Sequence, residues 1–164
     1  MTDYYRHKHR VRDSQISKVY TWGNVIKKDL PKINKFQIEK LIESSCEILD
    51  LYPPHLELTN KRKVVACYKP GKHTICLPNA DGSWAHNMEV VLHETSHAVH
   101  HEFMRRHRNQ DWVRYEESHG AGFMAINVFL LTQFTELSKN ELLYQAWKLH
   151  IRVGDIFKFT GGEE

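Results

Sequence analysis

The stretch Val90-Val91-Leu92-His93-Glu94-Thr95-Ser96-His97-Ala98-Val99-His100-His101 decides how this chain is read. It contains His-Glu-x-x-His. On a helix that spacing puts His93 and His97 one turn apart on one face, where two imidazoles can grip a single zinc ion. Glu94 then lies beside the metal, not on it. A carboxylate placed there can take a proton from a metal-bound water whose pKa zinc lowers towards ~7. A five-residue match also arises by chance in a His-rich chain, and this one has twelve histidines. The surrounding pattern argues against chance. Trp84, Met88, Val91, Leu92, Thr95, Ala98 and Val99 recur at steps of three and four, an apolar stripe that predicts a helix half-buried against a sheet.

Two protein ligands are too few, because catalytic zinc generally has three and an open position. His101 lies about 12 Å along the axis from His93, too far for one ion with metal–nitrogen bonds of ~2 Å. A glycine three residues after the second histidine, which would signal a longer motif, is replaced by His100. The preferred third ligand is His119, in Glu116-Glu117-Ser118-His119-Gly120-Ala121-Gly122-Phe123, at the start of an apolar run over 123–131 that reads as a second core helix. Glu116 or Glu117 is the alternative, since carboxylates also ligate zinc in enzymes of this motif.

His93-Glu94-x-x-His97 followed by His119-Gly120-x-x-Phe123 resembles the SprT-like zincin metallopeptidases, in which the second histidine motif supplies the third zinc ligand. Arg12-Asp13-Ser14-Gln15 with Val19-Tyr20-x-Trp22 is similar to a group of small metallohydrolase-like proteins of actinobacteria and their phages. The resemblance spans about residues 12–154. It departs at Ala121 and Gly122, where the family usually has a proline and an acidic residue. It implies a zincin-like fold and amide-bond hydrolysis with zinc on His93, His97 and His119. By analogy with zincins, whose edge strand beside the metal helix binds extended substrate, Thr74, Ile75 and Cys76 are the expected substrate-binding strand. Many SprT-like proteins carry a further zinc ribbon of paired cysteines. Cys46, Cys67 and Cys76 form no C-x-x-C, so no ribbon is expected.

At 164 residues and 41% hydrophobic the chain fits one domain with a sizeable core. No apolar run reaches the ~20 residues of a membrane span, and the basic first residues read unlike a secretory signal. With three cysteines in unrelated contexts, the expectation is a cytoplasmic protein with structural thiols. Residues 1–13 are expected to be a flexible arm. They hold Tyr4, Tyr5, Arg6, His7, Lys8, His9, Arg10 and Arg12, so contact with nucleic acid is conceivable. A net charge of only +3 and no recognised nucleic-acid module weigh against it. Arg105, Arg106, His107 and Arg108 read as a solvated helix end, where cations suit the dipole.

Residues 14–156 are expected to form the domain and 157–164 a frayed tail. Ile16, Val19, Tyr20 and Trp22 pack beside the core, with helix and strand left open. Ile38, Leu41, Ile42, Ser45 and Leu49 predict a helix that stops before Pro53-Pro54. Runs at 55–59, 64–68 and 73–77, divided by Asn60-Lys61-Arg62 and Pro70-Gly71-Lys72, read as antiparallel hairpins, the last as the edge strand. Residues 79–83 are expected to turn the chain into the metal helix, and 109–114 to be a polar link. Ser138 with Glu141 reads as a capping box opening a last helix. Tyr144, His150 and Arg152 are the candidate oxyanion donors.

The expectation is therefore an α+β, zincin-like domain: a small antiparallel sheet packed on a metal-bearing helix, with further core helices. It is a zinc hydrolase with Glu94 as general base, acting on a protein or peptide. A zinc amidohydrolase on a non-peptide substrate uses the same parts. A nucleic-acid-associated protein with a structural zinc is the rival of a different class, and an inactive interaction protein on the same scaffold a third. Structural zinc is normally closed by four protein ligands, however, and only three are well placed.

Overall fold

A computed structural model describes residues 12–60, 65–79 and 83–160 of the chain. The expectations for residues 1–11 of the basic arm, 61–64, 80–82 in the turn before the motif helix, and 161–164 lie outside the described residues. The fold is α+β. In chain order the elements are α1 (Ile16–Ile26), α2 (Lys35–Glu47), β1 (His55–Thr59), β2 (Cys67–Lys69), β3 (Thr74–Pro78), α3 (Met88–Arg106), α4 (Ala121–Phe134), α5 (Lys139–Lys148) and a single helical turn, α6 (Phe157–Thr160).

Everything is arranged round α3, which carries the two motif histidines. The Asn87 side chain accepts from the Glu89 N–H at 2.9 Å, satisfying one orphan donor at its start, and Arg105 and Arg106 occupy its last turn. Those arginines pair with Glu102, and Arg106 also reaches the Asp50 carbonyl, so this basic cluster is occupied in the fold. The apolar stripe runs from Met88 through Val91, Leu92, Ala98 and Val99; Trp84 lies in a 3-10 turn, Trp84–His86, before the helix begins. α4 is apolar on nearly all faces, the mark of a helix buried on all sides, and it packs along α3.

The helices α1 and α2 cover other sides of α3. The segment left open by the sequence is helical, and its Trp22 is fully buried with the indole N–H donating to the Leu142 carbonyl of α5. α2 opens with a reciprocal box in which Asn34 and Gln37 cap each other's backbone, and it ends at Glu47, earlier than its apolar pattern suggests. Ser138 accepts from the Glu141 N–H at the start of α5 as expected. Within the expected polar link, Asp111–Tyr115 forms a 3-10 turn, and the described part of the tail, Phe157–Thr160, forms a helical turn.

The sheet corrects one expectation. Its strand order is β1-β3-β2, with β2 antiparallel to β3 and β1 parallel to β3. The sheet is mixed. Among the described residues, only the tight Pro70-Gly71-Lys72 link makes a hairpin, turning through His73 at φ 46°. β3 is consequently the inner strand, with Ile75, Cys76 and Leu77 all buried. Among the described residues no helix is long and apolar enough to cross a membrane.

Candidate metal centre

His93 and His97 project from α3 on one face, and His119 comes from the loop before α4. One ligand atom from each lies within 4.8 Å of the other two. The Nε2 atoms of His97 and His119 are 3.1 Å apart and those of His119 and His93 are 3.3 Å apart. Three imidazole nitrogens brought to a common point could hold a metal ion. His93 and His119 are buried, and His97 is half-buried towards a cleft. Burial, with the neighbouring His119, drives the His93 pKa down to about 3, so His93 is neutral and keeps a lone pair for ligation.

Each imidazole is held from outside the cluster. The Phe123 ring packs against all three, at centroid distances of 5.0 Å from His93, 4.4 Å from His97 and 5.0 Å from His119. Tyr20 of α1 stacks on His93 at 5.5 Å and leans on His119 at 5.4 Å. Asp13 orients His119: its Oδ2 lies 2.7 Å from His119 Nδ1, which makes Nδ1 the protonated nitrogen and leaves the Nε2 lone pair turned towards the other two histidines, where it could serve a metal. Gln15 donates to the His119 carbonyl at 2.8 Å, and Ser14 and Arg152 bind the Glu117 carboxylate. The loop is tight at Gly120, where a Cβ would stand 2.7 Å from Glu116 Oε1 and 3.1 Å from the Glu117 backbone, so a side chain there would force its neighbours to shift.

Glu94 stands beside the cluster, buried, and receives the Tyr68 backbone N–H. Burial raises its pKa to about 7 against the opposing pull of that N–H, with Glu89 adding to the rise. A carboxyl poised there can accept and return a proton near neutrality. It opens on a cavity of about 220 Å3 whose walls include Tyr20, Cys67, Tyr68, His97, His101 and Ser118. One turn earlier, Glu89 is buried with Oε1 4.0 Å from His93 Nδ1, packed so close to α1 that a Cβ on Gly23 would come within 2.5 Å of it.

The other expected site residues fall elsewhere. Glu116 bonds the Gly122 N–H and faces His100, and Glu117 is tied to Ser14 and Arg152, so neither carboxylate joins the cluster. Thr74, Ile75 and Cys76 cannot offer a free edge, because β3 is paired on both sides; the strand bordering the cleft is β2. Tyr144 is exposed and stacked on Trp147, His150 is exposed in a left-handed turn, and Arg152 is engaged with Ser14 and Glu117. None of the three lines the cleft. Tyr20 does, and burial together with the nearby Glu94, Asp13 and Glu89 carboxylates raises its pKa, so it is a protonated donor. Asp13, Gln15 and Tyr20 all lie in the N-terminal signature that carried the resemblance, and Tyr20, expected beside the core, is half exposed against the histidines.

Comparison of the chain with protein-family models, with curated proteins and with solved structures returned no match to any of them.

Proposed function

We propose that the protein is a zinc-dependent metallopeptidase on a zincin-like scaffold. The observation that carries the reading is the convergence of the His93, His97 and His119 Nε2 atoms, with the Glu94 carboxyl beside them in an open cleft. The donor set fits the ion. Tetrahedral zinc with bonds of ~2.0–2.1 Å holds its nitrogens roughly 3.4 Å apart, close to the two separations found here. Three neutral imidazoles are a common catalytic zinc set, and the cleft leaves room for a further ligand.

Zinc bound there would supply Lewis acidity towards a carbonyl and a water of lowered pKa. The chain supplies the rest. Glu94 takes the proton of the attacking water and delivers it to the departing amine, both transfers being within reach of a carboxyl set beside the histidines on the open cleft. The Tyr20 hydroxyl is the donor we assign to the developing oxyanion, since Tyr20 borders both the histidines and the cleft. The cleft is open and bordered by Cys67 and Tyr68 of β2, and we read it as the place where a peptide substrate lies.

The test is peptide-library profiling with zinc-loaded wild type, Glu94→Gln and Tyr20→Phe, with zinc content measured on the same preparations. Gln keeps the size but cannot accept the proton at neutral pH, so turnover should fall by about 10² or more with zinc retained. Tyr20→Phe should lose about tenfold or more in kcat, again with zinc retained. Equal cleavage by Glu94→Gln refutes the mechanism. Cleavage by Tyr20→Phe at the wild-type rate removes Tyr20 alone. No cleavage by wild-type protein that holds zinc refutes the peptidase reading.

A further inference from the structure

A second cavity also borders Glu94 and reaches Glu89. It measures about 160 Å3, and its walls include Tyr20, Val65, Ala66, Trp84, Val90 and His93. That volume is close to the ~150 Å3 of apolar cavities that accept a benzene ring. Its character differs from that of the first cavity, where His97, His101, Ser118 and Tyr68 present polar groups. Trp84 and Val65 are 49% and 69% exposed, large apolar groups left uncovered at the mouth of a pocket that leads to the candidate general base.

The pocket is built rather than incidental. Trp84 begins a 3-10 turn capped by the Ser83 hydroxyl, which accepts from the buried Ala85 N–H. The Lys27 ammonium lies 4.9 Å from the Trp84 ring centroid and holds that face. Lys27 and Glu89 both border the cavity and attract one another, so their charges offset, and a charged side chain entering it would give up its hydration without gaining an unpaired partner. A neutral apolar group avoids that penalty and covers the tryptophan.

Resting on the peptidase reading above, we propose that this pocket is the specificity subsite, taking one aromatic or branched aliphatic substrate side chain next to the bond that is cut. The probes are amino-acid hydroxamates, which place a metal-binding group beside a chosen side chain, titrated calorimetrically into zinc-loaded protein. The phenylalanine and leucine hydroxamates should bind roughly tenfold or more tighter than glycine hydroxamate, from burial of the side chain. Lysine and aspartate hydroxamates should gain nothing over glycine.

Trp84→Ala and, separately, Val65→Asp should each cut the phenylalanine-to-glycine ratio to about threefold or less while glycine hydroxamate binds as before. Both positions are exposed enough that a fold defect would appear as a loss of glycine hydroxamate as well, and the two variants check each other. A flat series on protein that binds every hydroxamate overturns the subsite and leaves the metal centre standing. A side-chain preference untouched by either variant also overturns it. Protein that takes up no zinc and binds no hydroxamate removes the peptidase reading, and the subsite with it.

Discussion

Asp13 is 106 residues from His119 in the chain and 2.7 Å from it in space. A carboxylate on the far nitrogen of a ligating imidazole sets its tautomer and raises its basicity, and losing such a partner typically costs 10–100-fold in metal affinity. Asp13→Asn should therefore weaken zinc binding by about that factor in competition with a chromophoric chelator, and Asp13→Glu should recover part of it. His119→Ala should be worse, because two imidazoles make a poor site, and elemental analysis should find most of the zinc gone. If the metal-free Asp13→Asn protein melts as wild type does, the deficit lies in ligation and not in folding. Undiminished affinity in Asp13→Asn would show that His119 holds its orientation without the carboxylate. Full zinc retention in His119→Ala would remove His119 from the ligand set.

At the scale of the element, α3 carries three ionisable groups at its core-facing end, and burial shapes each of them. Desolvation raises Glu89 to about 7, with Lys27 pulling the other way. The folded state thus binds a proton more tightly than the unfolded chain, whose carboxyl titrates near 4.5. The stabilisation is complete below that value and is lost as pH rises through about 7. In chelator-treated protein, wild type should lose stability relative to Glu89→Gln by about 3 kcal/mol between pH 4.5 and 7.5, read from paired denaturant curves. A constant difference across that range would mean that Glu89 is solvated in the folded protein. This helix was also the most legible part of the sequence, since His93, Glu94 and His97 share one local periodicity and His119 opens the next apolar run. The sheet was less so. Alternation identifies a strand but not its neighbour, and β3 pairs in parallel with a strand some twenty residues earlier, His55 with Thr74, a contact that no turn residue encodes. The buttresses of the ligands were hidden for the same reason: Asp13, Gln15 and Tyr20 act across more than seventy residues, and nothing local in their sequence points to a partner.

For the whole molecule, a metal bound only by the folded state adds RT ln(1 + [L]/Kd), about 2.7 kcal/mol at a hundredfold excess over Kd. For a domain of this size that should raise Tm by about 5–10 °C, reversibly with chelator, and His93→Ala should show no response. A wild-type Tm indifferent to zinc and chelator would refute metal binding outright. The ties at Ser14 and Gln15 have a different consequence. Gln15 holds the His119 carbonyl and both backbone groups of Arg152, while Ser14 holds Glu117, so the start of the described chain closes over a loop made more than a hundred residues later. During synthesis at ~5–20 residues per second, Gln15 leaves the ribosome roughly ten seconds before Arg152 can reach it. His119 follows His97 by 22 residues, so the two motif histidines leave the ribosome first and wait for the third imidazole, which the Asp13 and Gln15 side chains, made more than a hundred residues earlier, are already there to anchor.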